Sequence, residues 1–182
     1  MTHLGLVSAS AMASKGFSVV CYDPDATLVG RLAAGEFPVS EPGLEELVRS
    51  NGDRQSFTAQ LSALGRCDVV YIAPDVPTDD TGRSDLAGIN KLIDAVVPAL
   101  GPQAVLVVLC QVPPGFTRSL ALPSPGRRYY QVETLVFGAA VERAVRPERF
   151  IVGSAQPAEP LDPRFRSVLE KFDCPILTMR YE

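Results

Sequence analysis

Two stretches of this chain are apolar from end to end: CDVVYIA at 67–73 and AVLVVLC at 104–110. Both are strand-sized. A strand with one face in water alternates polar and apolar residues, whereas an unbroken apolar run has both faces covered, as inside a parallel sheet. Between the two runs, Leu86, Ile89, Ile93, Val96, Val97 and Leu100 fall on one helical stripe. Parallel neighbours cannot be joined by a tight turn and need a crossover, normally a helix. Strand, helix and strand in this order commit the chain to an α/β architecture with right-handed crossovers.

The flanking sequence repeats the alternation. Leu4–Lys15 reads as a helix of small and apolar residues closed by Gly16, and FSVVCY at 17–22 as a strand ending at Asp23. Asp25 is placed to cap a helix that runs through Ala34 and stops at Gly35. EFPVSEP (36–42) is a loop, GLEELVRS (43–50) a short amphipathic helix, and Ala59–Gly65 a second short helix. The stretch PDVPTDDTGRSD after the first apolar run is loop, as is QVPPGFT after the second, and Leu120–Arg127 is irregular. RYYQV, RFIVGS and CPILTM follow as strands, with helices near Leu135–Ala144 and Pro163–Phe172. The pattern predicts a single domain over 1–182: one Rossmann-like, mostly parallel sheet with helices on both faces.

Composition removes several classes of function. With 46% apolar and 21% charged residues and a net charge of −4, the chain has no basic cluster beyond pairs such as Arg127-Arg128, which argues against nucleic acid. No apolar run approaches the ~20 residues of a membrane span, and no leader-like pattern precedes Gly5. Cys21, Cys67, Cys110 and Cys174 form no CxxC, and the lone His3 cannot complete a zinc set, so no metal is expected. Reduced, buried thiols in a cytoplasmic protein are expected instead.

Four segments carry chemistry. Gly5 opens a helix, and Asp23 stands 18 residues on at the end of the next strand. In a dinucleotide unit such a glycine lets the backbone approach the pyrophosphate, and such a carboxylate accepts from the ribose hydroxyls, favouring NAD over NADP. The same residues also fit a plain helix start and a cap for the following helix. SEPGLEEL (40–47) reads as a capped surface helix. QVPPGFT lies where open α/β sheets bind ligands, beyond a strand's carboxyl end, or is only a Pro-rich turn. Glu133, after a short strand, is a candidate base or a helix cap.

In their order, Asp23-Pro24-Asp25, FPVSEPGLEEL, CDVVYIA, Ser84-Asp85-Leu86, QVPPGFT, VETLVFG (132–138) and RPERFIVG (146–153) resemble the N-terminal NAD-binding domain of the UDP-glucose/GDP-mannose dehydrogenases. The resemblance covers essentially the whole chain. It implies a family that oxidises the C6 hydroxyl of a nucleotide sugar to a carboxylate with two NAD molecules, through a thiohemiacetal and a thioester on a cysteine. It implies cofactor contacts at Thr2, His3, Leu4, Gly5, Asp23, Ala73 and Gln111, and a catalytic carboxylate at Glu133 that orders or deprotonates water. The departures are equally definite. Of the G-x-G-x-x-G opening only Gly5 is present, with Thr2 where a glycine and His3 where an aromatic residue are expected. Leu28 replaces a basic residue, Leu109-Cys110-Gln111 replace Lys-Ser-Thr, and Phe137 replaces the family's second carboxylate. None of the four cysteines sits in the family's Gly-rich cysteine motif, so the chain is expected to lack the central and C-terminal nucleotide-sugar domains and to be inactive alone. The alternative is a non-catalytic interaction module that keeps the fold without the cofactor.

The resemblance also implies that the central strand of the sheet is missing. A slot should remain between its neighbours, to be closed by rearrangement or filled by another segment or chain. Open apolar edges invite association, so a homo-oligomer is expected.

Overall fold

The computed structural model describes residues 1–122 and 127–181, so residues 123–126 of the region expected to be irregular lie outside the described residues. Seven strands form: β1 (Val19–Tyr22), β2 (Gln55–Thr58), β3 (Val69–Ile72), β4 (Val105–Val108), β5 (Arg128–Gln131), β6 (Phe150–Ser154) and β7 (Ile176–Arg180). The helices are α1 (His3–Ser14), α2 (Ala26–Ala33), α3 (Leu44–Ser50), α4 (Ala87–Val96), α5 (Phe116–Ser119), α6 (Ala140–Val145) and α7 (Pro163–Glu170). The α/β class and the predominance of parallel pairing stand as read from the sequence.

The local signals operate as expected at several points. Asp25 caps α2 by accepting from the amides of Thr27 and Leu28, and Gly16 closes α1 at φ +92°, a conformation that a side chain would strain. Three details differ. β2 is not legible in QSFT, which is short and polar and becomes a strand only by pairing in parallel with β1. The helix expected at Ala59–Gly65 is a 3-10 turn over Leu61–Arg66, and α6 begins at Ala140 rather than near Leu135.

The larger correction concerns the sheet. There are two: β1 pairs with β2, and a separate sheet has the order β3-β4-β5-β6-β7, parallel except for the β5–β6 pair. β1 and β3 are not hydrogen-bonded neighbours, so each has one backbone edge without a strand partner among the described residues. The Val19 and Asp23 amides bond to β2, and the Asp68 and Ile72 carbonyls accept from the β4 side. By the alternation of a parallel ladder, Val20 and Tyr22 of β1, and Val69, Tyr71 and Ala73 at β3, turn their backbone groups towards these edges. The consequence shows in burial: all four residues of β4 are at most 1% exposed, whereas Val69 and Tyr71 are only partly buried.

Helix α1 holds the two sheets together. It carries small or apolar residues on every side and feeds three separate clusters: Leu4 packs with Val70, Ile72 and Leu106; Ala11 with Val105, Val107 and Phe165; Leu6 and Val7 with Leu32, Leu44 and Ala140. Phe165 of α7 is fully buried, its ring 4.9 Å from that of Tyr129 and 6.3 Å from that of Tyr71. Phe165→Ala should therefore cost about 3–5 kcal/mol of stability, read as a lower urea midpoint. All four cysteines are free thiols. Burial pushes the Cys110 thiol up to about 12 and the Cys21 thiol up to about 11. Because the thiolate is the reactive form, a disulfide reagent at about pH 8 should leave both untouched in the native protein and modify them after denaturation.

Candidate functional site

The first turn of α1 sits where the carboxyl ends of β1 and β3 converge. The Thr2 hydroxyl donates to the Ala73 carbonyl just beyond β3 (3.3 Å), and the Met1 ammonium pairs with the Asp23 carboxylate just beyond β1. A Cβ on Gly5 would stand 3.2 Å from the Ala73 oxygen, so a glycine is what allows the helix to seat this close to the strand. Thr2 occupies the N-cap position with extended backbone, yet its side chain caps none of the helix amides. The amides of the first turn are therefore left without a side-chain cap, the arrangement that suits an anionic group at a helix N-terminus. The Asp23 Oδ1 accepts from the Asp25 amide (2.9 Å), which fixes the carboxylate at the strand end.

Of the residues implied by resemblance, Thr2, Gly5, Asp23 and Ala73 come together at this seam. Leu4 is 7% exposed and belongs to the core beneath it. Gln111 is exposed, beyond the end of β4. Glu133 follows β5, half-buried, and its carboxylate accepts from the Leu135 amide two residues on. It lines a part-open cavity of about 40 Å³ with Ser8 and Met12 of α1, Gln131, Arg143 and Phe172, large enough for two or three water molecules and too small for a nucleotide base. Asp23, Ala73, Gln111 and Glu133 follow the carboxyl ends of strands in parallel pairs, where such sheets bind ligands.

His3 is placed differently from a group that faces open solvent. Its side chain is 8% exposed, and Nε2 stands 3.0 Å from Glu41 Oε2. Glu41 also accepts from the amides of Gly138 (3.1 Å) and Ala140 (2.9 Å). Burial pushes its pKa up, but the bonds from His3, Gly138 and Ala140 outweigh this and hold the carboxyl below its ordinary range. SEPGLEEL is thus only in part a surface helix: Glu41 and Leu44 are buried, while Glu45 and Glu46 are exposed. A carboxylate before Pro-Gly carries no local sign of burial, because its partners lie far away in the chain.

A fit for the adenosine half of NAD follows from these observations. A close glycine, uncapped helix amides and a carboxylate at a strand end are features of the kind that suit a pyrophosphate and a ribose diol. Among the described residues there is no group of three or more His, Cys, Asp or Glu placed to hold a metal, and no helix is long and apolar enough to cross a membrane.

Comparison with known proteins agrees. Residues 1–173 match the sequence model of the UDP-glucose/GDP-mannose dehydrogenase family, NAD binding domain. A UDP-glucose 6-dehydrogenase of Pseudomonas aeruginosa is 33% identical over 168 residues, which cover 85% of this chain and 37% of the relative. A UDP-glucose 6-dehydrogenase of Bacillus subtilis is 33% identical over 163 residues, 84% of this chain and 35% of the relative. The chain thus spans little more than a third of the length of these curated relatives. Among solved structures, a UDP-glucose dehydrogenase from Pyrobaculum islandicum superposes with a TM-score of 0.81 at 28% identity, covering 98% of this chain and 44% of that one. A GDP-mannose dehydrogenase from Pseudomonas aeruginosa, in a ternary complex, gives 0.84 at 23% identity over 98% of this chain and 44% of that one, a likeness of fold. The chain belongs to the UDP-glucose/GDP-mannose dehydrogenase family and corresponds to its NAD-binding domain.

Proposed function

We propose that this chain is the cofactor-binding unit of a nucleotide-sugar 6-dehydrogenase, taking NAD across the seam between the two sheets. The observation that carries the reading is the uncapped first turn of α1, seated by Gly5 against Ala73 with Asp23 beside it. The α1 amides receive the pyrophosphate, and Asp23 accepts from the ribose hydroxyls after exchanging the Met1 ammonium. Ala73, beyond β3, and Gln111, beyond β4, lie further along the same edge, towards the reactive end of the cofactor. NAD, when bound, supplies the oxidant for an alcohol of a UDP- or GDP-linked sugar. Glu133 holds a water molecule in the small cavity it lines. Burial holds the Cys21 and Cys110 thiols in their neutral, unreactive form, so neither is offered as a nucleophile for that oxidation.

A titration of NADH, followed by the cofactor's own fluorescence, tests the reading. Binding should saturate, NADPH should bind more weakly because a 2′-phosphate meets the Asp23 carboxylate, and Asp23→Ala should weaken NADH about tenfold. No binding by folded protein at millimolar cofactor overturns it. That outcome favours the second reading, a non-catalytic module, which one observation supports: Phe137 stands where the family has its second carboxylate, with its ring stacked on His3.

The open edges of β1 and β3 further support association between copies of the chain. Light scattering should give a mass above the 19.5 kDa of one chain; a strictly monomeric species overturns this.

A further inference from the structure

Three segments distant in sequence meet on one carboxylate. From the first turn of α1 comes the His3 ring, and from the end of the β5–α6 connection and the start of α6 come the Gly138 and Ala140 amides, with Glu41 itself in a third segment. Glu41 Oε2 takes both His3 and Gly138, and Oε1 takes Ala140. The Glu41 side chain is 1% exposed, a position a carboxylate tolerates only when its lone pairs are occupied by donors. These bonds are local to no element. Ala139, at the N-cap of α6, has no side chain able to cap the helix, and Glu41 supplies that cap from a remote segment.

The apolar surroundings make the junction tight. Beneath it Leu6 and Val7 of α1, Leu44 of α3 and Ala140 of α6 form one buried cluster, with Leu135 and Val141 packed against it. Above it the Phe137 ring stacks on His3 at 4.1 Å with an interplanar angle of 29°, while 77% of Phe137 remains exposed. Phe137 thus covers the His3–Glu41 pair from the solvent side. The two departures from the family pattern at these positions, histidine for an aromatic residue and phenylalanine for a carboxylate, touch each other.

Glu133 lies in the segment that this junction ties down. Its segment is anchored at one end by β5 and at the other by the Gly138 and Ala140 amides, and Arg143 of α6 reaches back to the Thr134 carbonyl (3.4 Å). We propose that Glu41 is a positioning residue: its carboxylate latches the segment carrying Glu133 to the first turn of α1, so that the two walls of the site keep a fixed separation, while Phe137 only covers the His3 ring. The proposal rests on the α1 turn being the cofactor turn only for its functional consequence. Glu41 touches neither the seam amides nor Glu133, yet the placement of both depends on it.

The latch also fixes a tautomer. A carboxylate only accepts, so the His3 nitrogen facing it carries the proton. His3 is the only histidine in the chain, so one side-chain signal reports the state of the latch.

The test compares the full chain with Glu41→Gln, Glu41→Ala and Phe137→Leu variants by nitrogen-15 NMR of His3, amide hydrogen exchange and NADH titration. In the parent the Nε2–H form should dominate. Glu41→Gln, which retains one acceptor oxygen, should speed exchange at Gly138 about tenfold or more and leave the Val105–Val108 amides of β4 unchanged. It should also weaken NADH several-fold, and Glu41→Ala more. A role in general stability would instead speed β4 in parallel. Phe137→Leu, at an exposed position that does not threaten folding, should abolish the ring-current shift on His3 and leave the Gly138 amide within about threefold of the parent. Unchanged exchange at both Gly138 and Ala140 in Glu41→Ala overturns the latch. So does NADH affinity equal to the parent's in a Glu41→Gln variant whose Gly138 amide has been freed. If the parent itself binds no NADH, the cofactor reading fails, and the His3 signal and the exchange pattern still decide the latch.

Discussion

Everything at the site depends on the seating of α1. Two sheets whose strands do not pair with each other are held in one molecule because this helix carries small or apolar residues on every side and enters all three buried clusters. An amphipathic helix covers one layer; a helix apolar all round needs protein on every side of it. Its first turn is thereby placed where β1 and β3 end, with amides that no side chain caps. The glycine at position 5 is the local condition, since a Cβ there would press on the Ala73 oxygen at 3.2 Å.

Around that helix, the candidate site residues are divided between the two sheets. Asp23 belongs to the β1–β2 sheet, whereas Ala73, Gln111 and Glu133 follow strands of the larger one. The Glu41 carboxylate spans the α1 turn and the Glu133 segment, so it is the polar counterpart of the apolar contacts below it. Its three donors more than offset the cost of burying a charge, and it stays ionised for that reason. Removing one partner of such a group leaves a buried acceptor unsatisfied, which costs more than the bond itself is worth.

Legibility in the sequence followed range. β4, buried on both faces, is written in its own composition, and so are the Asp25 cap and the Gly16 stop, because each is decided within a few residues. Gly5 and Asp23 were readable as a pair because the helix and strand between them fix their separation. β2 was not, since QSFT has no strand pattern and is ordered by its partner. The sequence around Glu41 carries only the pattern of a surface helix, because the donors to its carboxylate lie 38 residues before it and 97 and 99 residues after it. Likewise the division into two sheets is a fact of pairing, which no single strand's residues announce.

The seam and the proposed ligand bear on each other. With β1 and β3 unpaired, α1 and the loops at the strand ends carry the contacts between the sheets on this edge. On the proposed reading, a dinucleotide anchored at Asp23 and extended past Ala73 towards Gln111 touches both sheets at once. Its binding energy is then also energy that holds the β1–β2 sheet against the larger one, because a ligand that binds only the assembled seam stabilises it by mass action. The Glu41 latch acts on the same edge by a different route, fixing the α1 turn to the segment after β5 before any ligand arrives. A site whose walls are already joined spends less of the ligand's binding energy on ordering them. An open seam and a buried carboxylate beside it are therefore two sides of one constraint: where the backbone does not pair, a side chain has to hold the geometry.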